Sequence, residues 1–144
     1  MALEKTLYTA RATTSGGRRN GKSQSSDGNL AVTLNAPKEL GGNGDGTNPE
    51  QLFAAGYSAC FLGAMQFVAG TQKIALSPET AITADVAFGP LAGGKKGFGI
   101  GVAMQVKVPG LEKAQAEALV AAAHEVCPYS NATRGNIDVT FSVV

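Results

Sequence analysis

Residues 52–70, LFAAGYSACFLGAMQFVAG, contain no charged side chain over 19 positions. Such a run either crosses a bilayer, which takes about 20 apolar residues, or forms a helix enclosed by the rest of the protein. Ser58, Gln66, three glycines and several alanines keep it weakly hydrophobic, and no Lys/Arg cluster flanks it. The run therefore predicts a long central helix buried on all sides, with no membrane insertion. Its start is marked by Asn48 as a cap, Pro49 at the first helical position and Glu50 in the first turn.

The remaining elements are strands and one more helix. Residues 3–14 and 29–35 carry β-forming residues. The segments SPETAITADVAF and FGIGVAMQVKV read as two strands joined by a hairpin at PLAGGKKG. Residues 111–127 are rich in helix formers, and Pro128 ends that helix. A last strand, NIDVTFSVV, follows. The expected fold is α+β: an antiparallel-rich sheet, a long buried central helix and a second helix, in a single domain over residues 1–144.

Charged residues make up only 16% of the chain, against a usual share of about 25%. So few charges cover a small domain poorly, which favours an oligomer. The net charge of +1 gives no basic footprint, so nucleic acid is not an expected partner. No signal peptide precedes the first strand-like segment, so a cytoplasmic location is expected. Cys60 and Cys127 are the two cysteines and His124 the lone histidine, too few to form a zinc site. In the cytoplasm a transient, catalytic disulfide is plausible and a structural one is not.

Gly16, Gly21, Lys22 and Ser23 match the phosphate-loop pattern G-x-x-x-x-G-K-[ST]. That loop works only when a helix follows, because the helix N-terminus supplies the N–H groups and dipole. Here a turn and a strand follow, so the pattern predicts no nucleotide site.

The two thiols differ. Cys60 shares a helix face with Phe53, Gly56, Gly63, Ala64 and Phe67. The glycines leave either a close helix crossing or room for a small apolar ligand. Apolar burial alone keeps a thiol protonated, and the helix dipole fades within about a turn, so a reactive Cys60 needs a cation beside it. Arg11, Arg18, Arg19 and Arg134 are the arginine candidates. Cys127 falls at a helix C-terminus, where an anion is disfavoured, and suits a resolving role. His124, three residues earlier, pairs with Cys127 or eases the helix dipole; the second reading is preferred.

The stretches GTNPEQLFAAGYSACFLGAM and HEVCPYSNATRGNIDV resemble the two cysteine motifs of the organic hydroperoxide resistance proteins. That group belongs to the superfamily of osmotically inducible protein C, and the resemblance runs over nearly the whole chain. It implies a thiol peroxidase that reduces organic hydroperoxides to alcohols, built as an intertwined homodimer with active sites at the subunit interface. It matches Cys60 to the reactive cysteine and Cys127 to the resolving cysteine. Arg18, after the double glycine, matches the family's arginine, although Arg19 beside it departs from the pattern. Glu50, in the N-P-E step, matches its glutamate. The implied reductant is a dihydrolipoyl group on a lipoylated protein, with no metal or tightly bound cofactor. Glu50 is then expected to hold Arg18, and Arg18 to favour the Cys60 thiolate.

Glu50 and Cys60 are ten residues apart, about 15 Å along a straight helix. Both can meet one arginine only if the helix breaks, if its first turn is separate, or if the partner subunit supplies Arg18 and Glu50. The partner is the expected source. The competing readings are an osmotically inducible branch enzyme with another substrate preference and a non-catalytic thiol redox sensor. Asn131 and Arg134 receive no role from the sequence.

Overall fold

The computed structural model describes residues 1–144, which form two units, Met1–Pro49 and Glu50–Val144. The first unit holds a three-stranded antiparallel sheet of β1 (Ala12–Ser15), β2 (Gly21–Ser25) and β3 (Ala31–Leu34). The β1–β2 turn needs left-handed backbone at Gly16, Gly17 and Asn20. A Cβ at Gly21 would collide with the Gly17 carbonyl, which gives this glycine a packing reason to be there. Gly21, Lys22 and Ser23 lie on strand β2, so the loop has no helix N-terminus behind it.

One expectation changes in this unit, and one strand is new. The strand predicted over residues 3–14 is real only at Ala12–Ser15. Residues 3–10 have no ladder partner in this chain, and Leu3, Leu7 and Tyr8 are 80%, 88% and 79% exposed. Strand β2 has no apolar alternation to announce it. It exists because β1 and β3 satisfy its backbone on both sides, and Thr14 Oγ1 donates to the buried Ser23 Oγ at 2.9 Å.

The second unit contains α1 (Pro49–Thr71), β4 (Ala81–Pro90), β5 (Phe98–Lys107), α2 (Lys113–Val126), α3 (Pro128–Thr133) and β6 (Val139–Val143). Strands β4 and β5 form the predicted antiparallel hairpin, and β6 pairs parallel to β5. A parallel neighbour requires a crossover, which α2 and α3 provide. Val102, Met104 and Val106 alternate inward along β5, opposite Val86, Ala84 and Ile82 on β4 and Val139, Phe141 and Val143 on β6. Both long helices cover this one face: α1 with Tyr57, Phe61, Ala64, Met65, Val68 and Ala69, and α2 with Ala116, Leu119, Val120 and Ala123.

Helix α1 is long and apolar enough to cross a membrane by length and composition. In the fold it is a core helix, yet it is not buried on all sides as predicted. Only one stripe is enclosed, and Phe67 on the other side is 65% exposed. The second correction is at Pro128. It ends α2 as expected but also opens α3, since proline's fixed φ and missing N–H suit the first position of a helix.

Candidate active site

Cys60 sits at the edge of the buried stripe of α1, half-buried and packed against the core. Cys127 is fully buried at the joint between α2 and α3. Its backbone is extended, at φ −68° and ψ 123°, as the residue before a proline prefers. It closes α2 through its N–H to the Ala123 carbonyl and stands as the N-cap of α3. Because α1 and the α2–α3 joint lie on the same sheet face, residues 67 apart in sequence meet: the two Sγ atoms are 3.6 Å apart and both thiols are free.

Burial and two neighbours act on the Cys60 thiol. Burial is the largest influence and pushes its pKa above the ordinary value of 9.0, and the neighbouring Cys127 adds to that rise. The Tyr129 backbone amide, in the first turn of α3, works the other way. Net, these surroundings favour the protonated thiol. The sequence argument that a reactive Cys60 needs a cation therefore holds for this unit.

The joint carrying Cys127 is held from two sides. Inside, the Tyr57 hydroxyl on α1 bonds Ser130 Oγ at 2.9 Å and Thr133 Oγ1 at 3.1 Å, all three residues being buried. The Tyr57, Phe53 and Tyr129 rings pack together at centroid distances of 5.6–5.9 Å. Tyr129 lies over Gly56, where a Cβ would come within 3.0 Å of its hydroxyl. This resolves one question: Gly56 serves a close packing contact, not an open ligand pocket. Outside, Arg134 Nη1 donates to Asn131 Oδ1 at 2.7 Å, and its Nη2 donates to the His124 carbonyl at the end of α2.

Arg134 also corrects the reading of His124. The expected easing of the α2 dipole falls to the Arg134 guanidinium. The His124 ring instead packs edge-on against Phe141 at 4.9 Å, and its Nδ1 is buried with no hydrogen-bond partner. Burial, and then Arg134, lower its pKa below 6.5, so the ring is neutral at pH 7.

Of the four predicted site residues, the structure brings Cys60 and Cys127 together. Glu50 lies in the first turn of α1, and α1 runs unbroken to Thr71, so Glu50 and Cys60 stay about 15 Å apart along it. A helix break is thereby excluded. Arg18 lies in the β1–β2 turn of the other unit. Within that unit Arg19 Nη2 donates to the Leu40 carbonyl at 3.2 Å, so Arg19 braces the loop that follows β3. Sequence reading missed Tyr57, Ser130 and Thr133. Their signal was a tyrosine inside an uncharged run, whose hydroxyl must find a buried partner.

The OsmC-like protein family matches residues 42–142. An organic hydroperoxide resistance protein of Xanthomonas axonopodis pv. citri is 57% identical, covering 97% of this chain and 96% of its own. Among solved structures, an organic hydroperoxide resistance protein of Legionella pneumophila superposes with a TM-score of 0.89 at 54% identity, over 96% of this chain and 98% of that one. Another, from Vibrio cholerae O1 biovar eltor, has a TM-score of 0.90 at 50% identity, over 99% and 95%; it holds captopril in one of its active sites.

Proposed function

The chain belongs to the OsmC-like family, with the organic hydroperoxide resistance proteins, and from that premise we propose that it is a cysteine peroxidase reducing organic hydroperoxides to alcohols. A role in organic hydroperoxide detoxification is what family membership supports. The observation that carries the chemistry is the thiol pair: one sulfur half-buried, one fully buried, 3.6 Å apart.

In the proposed cycle the Cys60 thiolate attacks the outer peroxide oxygen. The O–O bond breaks, an S–O bond forms, and the alkoxide takes a proton to leave as alcohol. The Cys127 sulfur then attacks the Cys60 sulfenic acid, the S–O bond breaks, and hydroxide leaves as water with the thiol proton. A dihydrolipoyl dithiol on a lipoylated protein returns the disulfide to two thiols and becomes a disulfide itself. No metal or bound cofactor takes part. The proposed location is the cytoplasm.

Arg18 is the cation this scheme needs, held by Glu50 in a bidentate pair and both supplied by the partner subunit of a homodimer. The unbroken α1 supports a second subunit as their source. So do the exposed Leu3, Leu7, Tyr8 and Phe67, large apolar side chains that a second copy would cover.

The test is peroxide consumption with dihydrolipoamide, comparing an alkyl hydroperoxide with hydrogen peroxide, for the wild type and Cys60→Ser. Sustained turnover that prefers the alkyl peroxide and vanishes in the variant is the expected result. Equal rates on both peroxides point to the osmotically inducible branch. A single oxidation without turnover leaves a redox sensor and removes the enzyme.

A further inference from the structure

We propose that the Tyr57 hydroxyl is the positioning residue of the thiol pair: through Ser130 and Thr133 it seats α3, and so sets where Cys127 stands relative to Cys60. The role within a catalytic cycle rests on the peroxidase reading; the placement itself does not.

Helix α3 has six residues and follows an extended Cys127. Helices this short have little stability of their own, so tertiary bonds decide where it lies. Tyr57 is one turn before Cys60 on the rigid α1, and Ser130 and Thr133 come three and six residues after Cys127. The hydroxyl cluster thus ties the element bearing one thiol to the element bearing the other.

The chemistry of the cluster is asymmetric. Thr133 Oγ1 also bonds the Tyr129 carbonyl at 2.9 Å and the Ser130 carbonyl at 3.2 Å, and keeps both if Tyr57 loses its hydroxyl. Ser130 Oγ shares its hydrogen bond with the Tyr57 hydroxyl and sits at 0% exposure. Tyr57→Phe fills the same ring volume but strands that hydroxyl in the core, a loss that the first turn of α3 relieves by moving. Tyr129 and Cys127 move with it. The resolving step, in which the S–S bond forms and hydroxide leaves Cys60 as water, depends on the 3.6 Å approach. A displacement of about 1 Å costs up to about 100-fold in such a step.

The experiment uses the full-length wild type, Tyr57→Phe and Tyr57→Phe/Ser130→Ala. Each is oxidised with one equivalent of an alkyl hydroperoxide. Dimedone labelling reports the sulfenic acid and mass spectrometry the disulfide. In Tyr57→Phe we expect disulfide closure at least about tenfold slower, with dimedone label accumulating on Cys60. In the double variant no hydroxyl is stranded, so the urea midpoint returns toward the wild type, but the bond that seats α3 is still missing, so closure stays slow. Closure at the wild-type rate in either variant overturns the proposal. A second arm needs no peroxide: the dithiol–disulfide equilibrium is measured in a glutathione redox buffer. Tyr57→Phe is expected to shift it at least about fivefold toward the dithiol, and an unchanged equilibrium overturns the placement. A shifted equilibrium in a protein that consumes no peroxide keeps the placement and removes the peroxidase reading.

Discussion

Bridging Cys60 and Cys127 should make the protein markedly harder to unfold. The two residues are 67 apart in the chain, so a bond between them closes a long loop in the unfolded ensemble. The chain-entropy relation gives a stabilisation of about 4 kcal/mol for a loop of that size. Against it stands the closure itself, in which the sulfurs approach from 3.6 Å to about 2.0 Å. Side-chain rotation at the edge of α1 supplies that small movement. At about 2–4 °C per kcal/mol for a chain of this length, the oxidised form should melt roughly 10 °C above the reduced form. Calorimetry at matched protein concentration, with a reductant or after one equivalent of peroxide, reads the difference; Cys127→Ser should show none. An oxidised protein that melts no higher than the reduced one would refute the reasoning, because closure would then distort the fold as much as it constrains the unfolded chain.

Phe61 is fully buried against Phe141, and Phe61→Ala should cost about 3–5 kcal/mol, read as a lowered urea midpoint. His124 is a base with its folded-state pKa lowered, so the unfolded chain binds the proton first; its contribution is complete above pH 6.5 and is lost as pH falls below that value. The urea midpoint should drop between about pH 7 and about pH 5, and drop less in His124→Gln. Arg18→Lys keeps the positive charge but loses the planar fork; kcat/KM for alkyl hydroperoxides should fall about 100-fold in steady-state assays, with the fold unchanged by circular dichroism.

What could be read from the sequence was whatever leaves a periodic or chemical trace. The uncharged run with Pro49 and Glu50 at its head announced α1, and the stretch FGIGVAMQVKV announced β5. The demand of Cys60 for a cation followed from burial alone, and its raised pKa agrees. What stayed hidden depends on partners. The polar GKSQS segment is a strand only because β1 and β3 flank it, and the opening segment lacks such neighbours. Pro128 was readable as a stop but not as a start, since both uses exploit the same missing N–H. The Tyr57 cluster joins positions more than 70 residues apart, a distance no local pattern spans.

The unequal burial of the two sulfurs gives the proposed cycle a direction. Once they are bridged, an incoming dithiol can reach only the sulfur of Cys60, because Cys127 is sealed beneath the α2–α3 joint. Cys127 must then be the leaving group, and the mixed disulfide with the reductant must form on the same atom that received the peroxide oxygen. Oxidant and reductant therefore take turns at one doorway, and neither can be served while the other occupies it. Double-reciprocal plots of rate against peroxide at several dithiol concentrations should be parallel lines; converging lines would mean a second entrance.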